Sequence, residues 1–413
     1  MTDADLTPLL NVRDHFPILS RISPSGQPLI YLDSAATALK PQCVIDAVSD
    51  MLANKTANIH RSVHFLSDEA TEAYESTRDS VAILINAESN EIVFLRNTTE
   101  ALNLLAFAYR DKGKILTSWA EHHSNLLPWG DTSVRLDVDE LGHVKLDTLE
   151  QQLSQNDIAL VALSQASNVT GNSINIKKIV ELAHAYGVPV AIDAAQSAPH
   201  TRIDVDDLGC DFLAFSGHKL GAPTGVGVLF GKADLLEQMD LYLQGGSTIE
   251  EVTLEGYKEK NAPWKFEAGT PAIESVVGLN AAIRFLLNIG MENVHKHFSL
   301  LSRHTALEIA NKLPADCVMG GLTENKLGPF SLIYKGISPH AIARGLSDRY
   351  GVCVRSGFHC AQPLHLQLNV PASLRLSFWI YDTPQAITKT VDGIAELAAV
   401  VNRLRTSVRQ RAQ

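Results

Sequence analysis

The stretch FLAFSGHKLGAPTGVGVLF, residues 212–230, decides how the rest of the chain is read. It holds two apolar runs, 212–215 and 226–230, each with the length of a buried strand and too short for a helix. Between them Lys219 follows a histidine and precedes glycines, a proline and small residues. One reading makes Lys219 a solvated lysine in a tight turn, the simpler account of its local context. The other makes it a nucleophilic amine. Partial desolvation and the neighbouring, protonatable His218 both lower an amine's pKa. The stretch is no Walker phosphate loop, because the spacing and the Lys-Ser/Thr ending are missing.

Working outward, runs of the same kind recur at 92–95, 114–117, 158–163 and 188–192. Helical periodicity fills 101–109, after a capping turn at 96–100, and 176–186, which Gly187 ends. Short apolar strands alternating with helices predict an α/β fold with a mainly parallel sheet covered on both faces. Ligands bind such sheets beyond the carboxyl ends of the strands. Polar clusters stand at those ends: Thr98-Thr99, Glu121-His122-His123, Asn168, Asp193 and Ser216-Gly217-His218-Lys219. From about residue 284 the pattern changes to a long helix (291–313), short strands (330–333, 353–354) and a final helix (384–405). This predicts a large α/β domain over 17–283 and a smaller α+β domain over 284–413, joined by residues 1–16.

A chain of 413 residues, 45% hydrophobic, exceeds what one core usually organises, which agrees with two domains. The net charge of -11 argues against nucleic acid or an anionic membrane as partner. Five scattered cysteines, with no zinc-ribbon or CxxC spacing, suit a reducing cytoplasm. The N-terminus MTDADLTPLL lacks a signal pattern, and no run of 18 apolar residues exists to cross a membrane.

Each polar cluster has a plain reading beside a chemical one. Asp193 either caps a helix or forms a salt bridge, or it pairs with a protonated pyridine nitrogen; Gln196 stands where it can bond the same ring's phenolic oxygen. Thr98-Thr99-Glu100 is either an N-cap with an acidic first turn or part of a phosphate site at a helix N-terminus, with Ser216 and His218 adding donors. His122 and His123 are either core histidines or include one that stacks on a flat cofactor. His60 and His64 have i,i+4 spacing, but no ligand-rich motif accompanies them and no metal is expected. Cys360, in RSGFHC, is either a small buried hydrophobe or a thiol pushed toward thiolate by histidine and Arg355. Arg375, in LRLSFW, either snorkels from a strand or clamps a carboxylate in bidentate fashion.

Six motifs together, YLDSAATALKP, RNTTEALN, AEHHSNLLPW, AIDAAQ, SGHKLGAPTGVG and VRSGFHCAQP, resemble the fold-type I, pyridoxal-phosphate-dependent cysteine desulfurases of the aminotransferase class-V family. The likeness spans about residues 14–400 and is to the group II branch, which holds the SUF-type enzymes and cysteine sulfinate desulfinase. NIHRS, SNVTG and HCAQPL lean toward the latter. The resemblance implies that Lys219 holds pyridoxal 5'-phosphate as a Schiff base and takes the substrate's α-proton. It implies that Asp193 pairs with the pyridine nitrogen, Gln196 with the phenolic oxygen, and that His122 stacks on the ring. Thr98, Thr99, Ser216 and His218 would bind the phosphate, with Thr270 (in FEAGTP) arriving from the other subunit of a homodimer. Asn168 and Arg375 would anchor the substrate carboxylate, Arg355 and His60 would shape the pocket, and Cys360 would take sulfur from L-cysteine as a persulfide for an acceptor protein.

Departures from that pattern fall at Gly221 and Ala222, where tyrosine and glycine are usual, at Phe358 and Ser62, and after Trp129, where about a dozen residues of helix are missing. They bear on substrate preference and sulfur acceptor. The alternatives are another class-V enzyme, such as a C–S lyase that needs no cysteine nucleophile, and a cofactor-free scaffold that binds a sulfur carrier.

Overall fold

The computed structural model describes residue 9 and residues 11–411, apart from 132, 156, 315, 323–325 and 335. Residues 1–8, 10 and 412–413 of the segments assigned to the smaller domain therefore lie outside the described residues.

A first strand, β1 (Ile30–Tyr31), precedes the main sheet. That sheet is formed by β2 (Ile92–Leu95), β3 (Lys114–Ser118), β4 (Val134–Leu136), β5 (Ile158–Ser164), β6 (Val190–Asp193), β7 (Phe212–Ser216) and β8 (Gly227–Gly231). Their order across the sheet is β2-β8-β7-β6-β5-β3-β4. β3, β4, β5, β6 and β7 pair in parallel, whereas β8 runs antiparallel to both β7 and β2. Two reversals restore direction, so β2 is parallel to the rest and β8 alone is inverted. The expected mainly parallel sheet is present, and the carboxyl ends of β2, β3, β5, β6 and β7 share one edge. β6, β7 and β8 are buried throughout, as a sheet covered on both faces requires.

The helix that follows β2 begins earlier than its periodicity suggests. It spans Thr98–Tyr109 and is capped by Asn97, whose side chain accepts from Glu100 N–H at 3.0 Å. Thr98 and Thr99 are thus in its first turn, and the capping role falls to the residue before them. Gly227, at the start of β8, makes this cap possible: a Cβ there would stand 2.4 Å from Asn97 Cα. On one side of the sheet the helix Ile273–Ile289 packs against Gln42–Asn54 and Phe65–Ile85.

β9 (Ile249–Val252) and β10 (Tyr257–Glu259) form an exposed hairpin. A second antiparallel sheet has the order β11-β14-β13, from β11 (Phe330–Leu332), β13 (Arg355–Gly357) and β14 (Ser373–Leu376). Between them β12 (Val352–Cys353) pairs with β1. This sheet, the helix Met291–Lys312 and the helix Pro384–Arg411 enclose their own apolar cluster, including Phe298, Leu346, Leu374 and Ile394. Val12 and Phe16 instead join the larger core, where Phe16 contacts Phe285, Trp379 and Tyr381. Among the described residues no single helix is long and apolar enough to cross a membrane.

Candidate active site

The shared strand edge opens into a cavity of about 230 Å³. Lining it are Thr98 and Thr99 after β2, His122 after β3, Asn168 after β5, Asp193 and Gln196 after β6, and Ser216, His218 and Lys219 after β7. Arg355 from β13 and Arg375 from β14 complete it from the second sheet. Eleven residues singled out in the sequence thus meet in one place, from seven separate segments.

One end is a cup of hydroxyl groups at the N-terminus of the helix Thr98–Tyr109. Thr98 N–H donates to Ser216 Oγ at 2.9 Å, the Thr98 and Ser216 hydroxyls lie 2.7 Å apart, and Thr99 Oγ1 lies 2.7 Å from Ser124 Oγ. Helix N–H groups and hydroxyls together favour an anion. His218 lines the same cavity, and its buried Nδ1 has no hydrogen-bond partner.

Asp193 ends β6 and is 5% exposed. Its Oδ1 accepts from Ala195 N–H at 2.9 Å. Burial raises its pKa, against the pull of the Lys219 charge and that backbone bond. Lys219 sits in the tight turn Gly217–Lys219. Its own pKa is lowered to about 8, first by desolvation, then by Arg375 and Arg355, while Asp193 and Cys360 oppose the fall. The amine is thus reactive in a range where a surface lysine is not. Gln196 donates from Nε2 to Ala35 O at 3.1 Å.

His122 is neutral. Burial, with Lys219 and His123 beside it, lowers its pKa to about 3. Its Nδ1 accepts from Ser124 N–H at 3.1 Å, so the ring proton is on Nε2. A neutral, flat ring with a fixed tautomer can cover an aromatic ligand without adding charge.

Arg375 is 1% exposed and lies directly across the β13–β14 ladder from Arg355. Its Nη1 donates to Asn168 O at 3.2 Å and its Nη2 to Asp33 Oδ1 at 3.1 Å, while Nε is buried without a partner. Such a guanidinium suits a carboxylate. The Asn168 amide donates to His359 O at 2.6 Å, which ties this end to the loop after β13.

Cys360 is on that loop. It is half-buried and is not itself a lining residue, but its neighbour His359 is. His359 and Cys360 both adopt left-handed backbone, at φ 54° and 58°. Two such residues in succession cost about 1–2 kcal/mol each. The loop is held by His123 N–H donating to Cys360 O at 2.8 Å and by Ala361 N–H donating to Phe358 O at 2.9 Å.

His60 and Thr270 lie outside the cavity. His60 Nε2 is 2.8 Å from Glu75 Oε1, and its ring meets Tyr74 edge-on at 5.8 Å. Thr270 lines a different hollow of about 510 Å³, of which Tyr74 is also a wall. The two therefore share a second location around Tyr74. Two further residues escape the sequence reading, and a third, His359, enters it only as a neighbour of Cys360. Asp33 partners Arg375, Ser124 partners both Thr99 and His122, and His359 lines the cavity. All three stand inside the quoted motifs; only their long-range partners mark them out.

The aminotransferase class-V profile matches residues 30–389 of this chain. A probable cysteine desulfurase of Halalkalibacterium halodurans is 41% identical over 396 residues, covering 93% of this chain and 96% of that protein. Among solved structures, a cysteine desulfurase of Escherichia coli superposes with a TM-score of 0.86 at 34% identity, over 95% of this chain and 99% of that one. The cysteine desulfurase of Thermococcus onnurineus gives 0.84 at 34% identity, over 92% and 97%.

Proposed function

The chain belongs to the aminotransferase class-V family, and from that premise we propose that it is a pyridoxal-phosphate-dependent cysteine desulfurase that passes sulfur through Cys360. The observation that carries the reading is one cavity in which a desolvated lysine, a buried carboxylate, a hydroxyl cup at a helix N-terminus and an arginine with a bare Nε all converge. Pyridoxal phosphate fits that donor set, with the cup and His218 for its phosphate, Asp193 for its ring nitrogen and Lys219 for its aldehyde. When bound, it supplies an electron sink for an amino acid.

The protein's own residues do the rest. Arg375 and Asn168 orient the substrate carboxylate. His122 would cover the cofactor ring, and Gln196 would bond its oxygen. Lys219, at about 8, both accepts and returns a proton at the substrate's α-carbon near neutral pH. The Cys360 thiolate attacks the substrate sulfur. As the S–S bond forms, the C–S bond breaks and its electron pair stays with carbon, which takes up a proton. Thiol and L-cysteine thus become persulfide and L-alanine.

We place Thr270 and His60 at a neighbouring copy's cavity in a homodimer; their shared position around Tyr74 supports this. We assign residues 284–411 a separate small domain that carries Cys360, and the persulfide to an acceptor protein. The acidic net charge and five free cysteines support a cytoplasmic enzyme without nucleic-acid or membrane partners.

The test is alanine formation from L-cysteine by wild type and Cys360→Ala, followed together with visible absorption. The variant is expected to keep its colour and lose at least about 100-fold in alanine formation. Undiminished consumption of cysteine by the variant, with pyruvate formed in place of alanine, points to a C–S lyase. A wild type that stays colourless with added cofactor points to a scaffold.

A further inference from the structure

Glu121 has no part in the steps above, yet it is 1% exposed and its carboxylate accepts hydrogen bonds from three residues. Oε1 accepts from the Ser118 hydroxyl, at the end of β3, at 2.9 Å. Oε2 accepts from the Asn125 amide at 2.7 Å, from Ser164 N–H, at the end of β5, at 3.0 Å, and from the Ser164 hydroxyl. The Asn125 carbonyl in turn accepts from the Thr117 hydroxyl at 3.0 Å and the Trp129 indole at 2.8 Å. The side chain therefore closes the 118–125 turn on itself and binds it to the neighbouring strand. His122 is the next residue in that turn.

Burial outweighs these donors and raises the carboxyl to about 7. The geometry shows how the network survives a proton. The Ser164 N–H cannot reverse, and the Trp129 indole, which donates to Asn125 Oδ1 at 3.3 Å, holds the Asn125 amide in its donating orientation, so Oε2 remains an acceptor. The Ser118 hydroxyl can rotate. A proton on Oε1 can point to Ser118 Oγ and leave every fixed donor satisfied.

We propose that Glu121 is a positioning residue, which fixes the turn so that the His122 ring is presented to the cofactor, through hydrogen-bond geometry and not through negative charge. The proposal rests on the reading that pyridoxal phosphate occupies this cavity. Glu121→Gln keeps the shape and one acceptor oxygen for the fixed donors but removes the charge. Glu121→Asp keeps the charge but falls one methylene short.

The experiment measures pyridoxal phosphate uptake by the apoproteins and the visible circular dichroism of the bound cofactor, with far-ultraviolet spectra as the check on folding. Glu121→Gln should bind within about twofold of wild type with an unchanged visible band, and Glu121→Asp about tenfold more weakly with an altered band. A wild-type-like Glu121→Asp, or a Glu121→Gln as impaired as Glu121→Asp, overturns the proposal. Should Glu121→Asp not fold, Asn125→Ala removes one fixed donor; an unchanged band in it has the same meaning. A wild type that takes up no cofactor overturns the underlying reading and this inference with it, whereas a coloured wild type with failed variant contrasts overturns the inference alone.

Discussion

Lys219 and Cys360 both follow a short strand, yet they are held in different ways. Lys219 leaves β7, a strand buried along its whole length in a seven-stranded sheet. Its turn is closed first by its own backbone, Leu220 and Ala222 N–H to Gly217 O and Gly217 N–H to Val226 O, and His218 O then accepts from Ala38 N–H, the Thr37 hydroxyl and the Lys40 amine. Cys360 leaves β13, three half-buried residues in a three-stranded sheet, and stands in left-handed backbone. Its loop depends on bonds from elsewhere, notably from His123 and the Asn168 amide. The lysine is placed by a sheet edge. The cysteine is placed by partners that arrive from the other side of the site, so changes around the two should separate.

The sharpest break is Lys219→Ala. We expect loss of the stable visible band and a fall in desulfuration of at least about 10³-fold, the range of a lost acid–base group. The Cys360 loop keeps its own bonds, so alkylation of Cys360 by a thiol reagent should slow only slightly, through loss of the Lys219 charge that favours its thiolate. A faster alkylation would mean that the loop itself depends on Lys219.

A smaller effect follows from pH. Desolvation lowers the Lys219 pKa to about 8. The neutral amine is the reactive form, and its fraction falls about tenfold per pH unit below that value. Cofactor uptake by the apoprotein should therefore rise by about 50-fold from pH 6 to pH 8 and level off above. Stopped-flow colour formation measures this. A rate that climbs steadily to pH 10 would show that burial does not tune the amine.

The same contrast explains what could be read from the chain. Strand ends are local features: an apolar run followed by Asp193, or by Ser216 and Lys219, announces its position in any parallel sheet. Arg375 was marked by its place in an apolar strand. Periodicity places the start of the helix after β2 too late, because Thr98 and Thr99 are themselves good capping residues and the closeness of Asn97 to Gly227 is a contact between distant segments. Asp33, His359 and Glu121 act through partners more than 10 residues away, at Arg375, Ser373 and Ser164. So does the buried ion pair of Arg78 with Glu267, at 2.7 Å, which anchors the segment leading to Thr270. No periodicity records such pairs. They appear only once the fold has brought the strands together.

The smallest effect, and the one confined to the cysteine side, lies behind His359. Ser373 Oγ is 3.0 Å from both His359 Nε2 and His365 Nε2, and His365 Nδ1 is 3.0 Å from Ala361 O. Both rings are neutral, since burial lowers His359 to about 2 and also lowers His365. Ala361 O can only accept, so His365 carries its proton on Nδ1 and takes the Ser373 hydroxyl proton at Nε2. Ser373 Oγ is then free to accept from His359 Nε2–H. Ala361 O thus sets the His365 tautomer, and Ser373 passes the choice on to His359 and braces the residue beside Cys360. Ser373→Ala leaves two buried ring nitrogens without partners, and stability should fall by about 2 kcal/mol in a denaturant titration. Cofactor colour should change little, because the bonds that hold Lys219, Asp193 and Ser216 do not run through these histidines. Desulfuration should fall by about three- to tenfold, and Cys360 should react faster with a thiol reagent as its loop loosens. Should turnover and thiol reactivity both stay at wild-type values, the His123 and Asn168 bonds alone hold the cysteine in place.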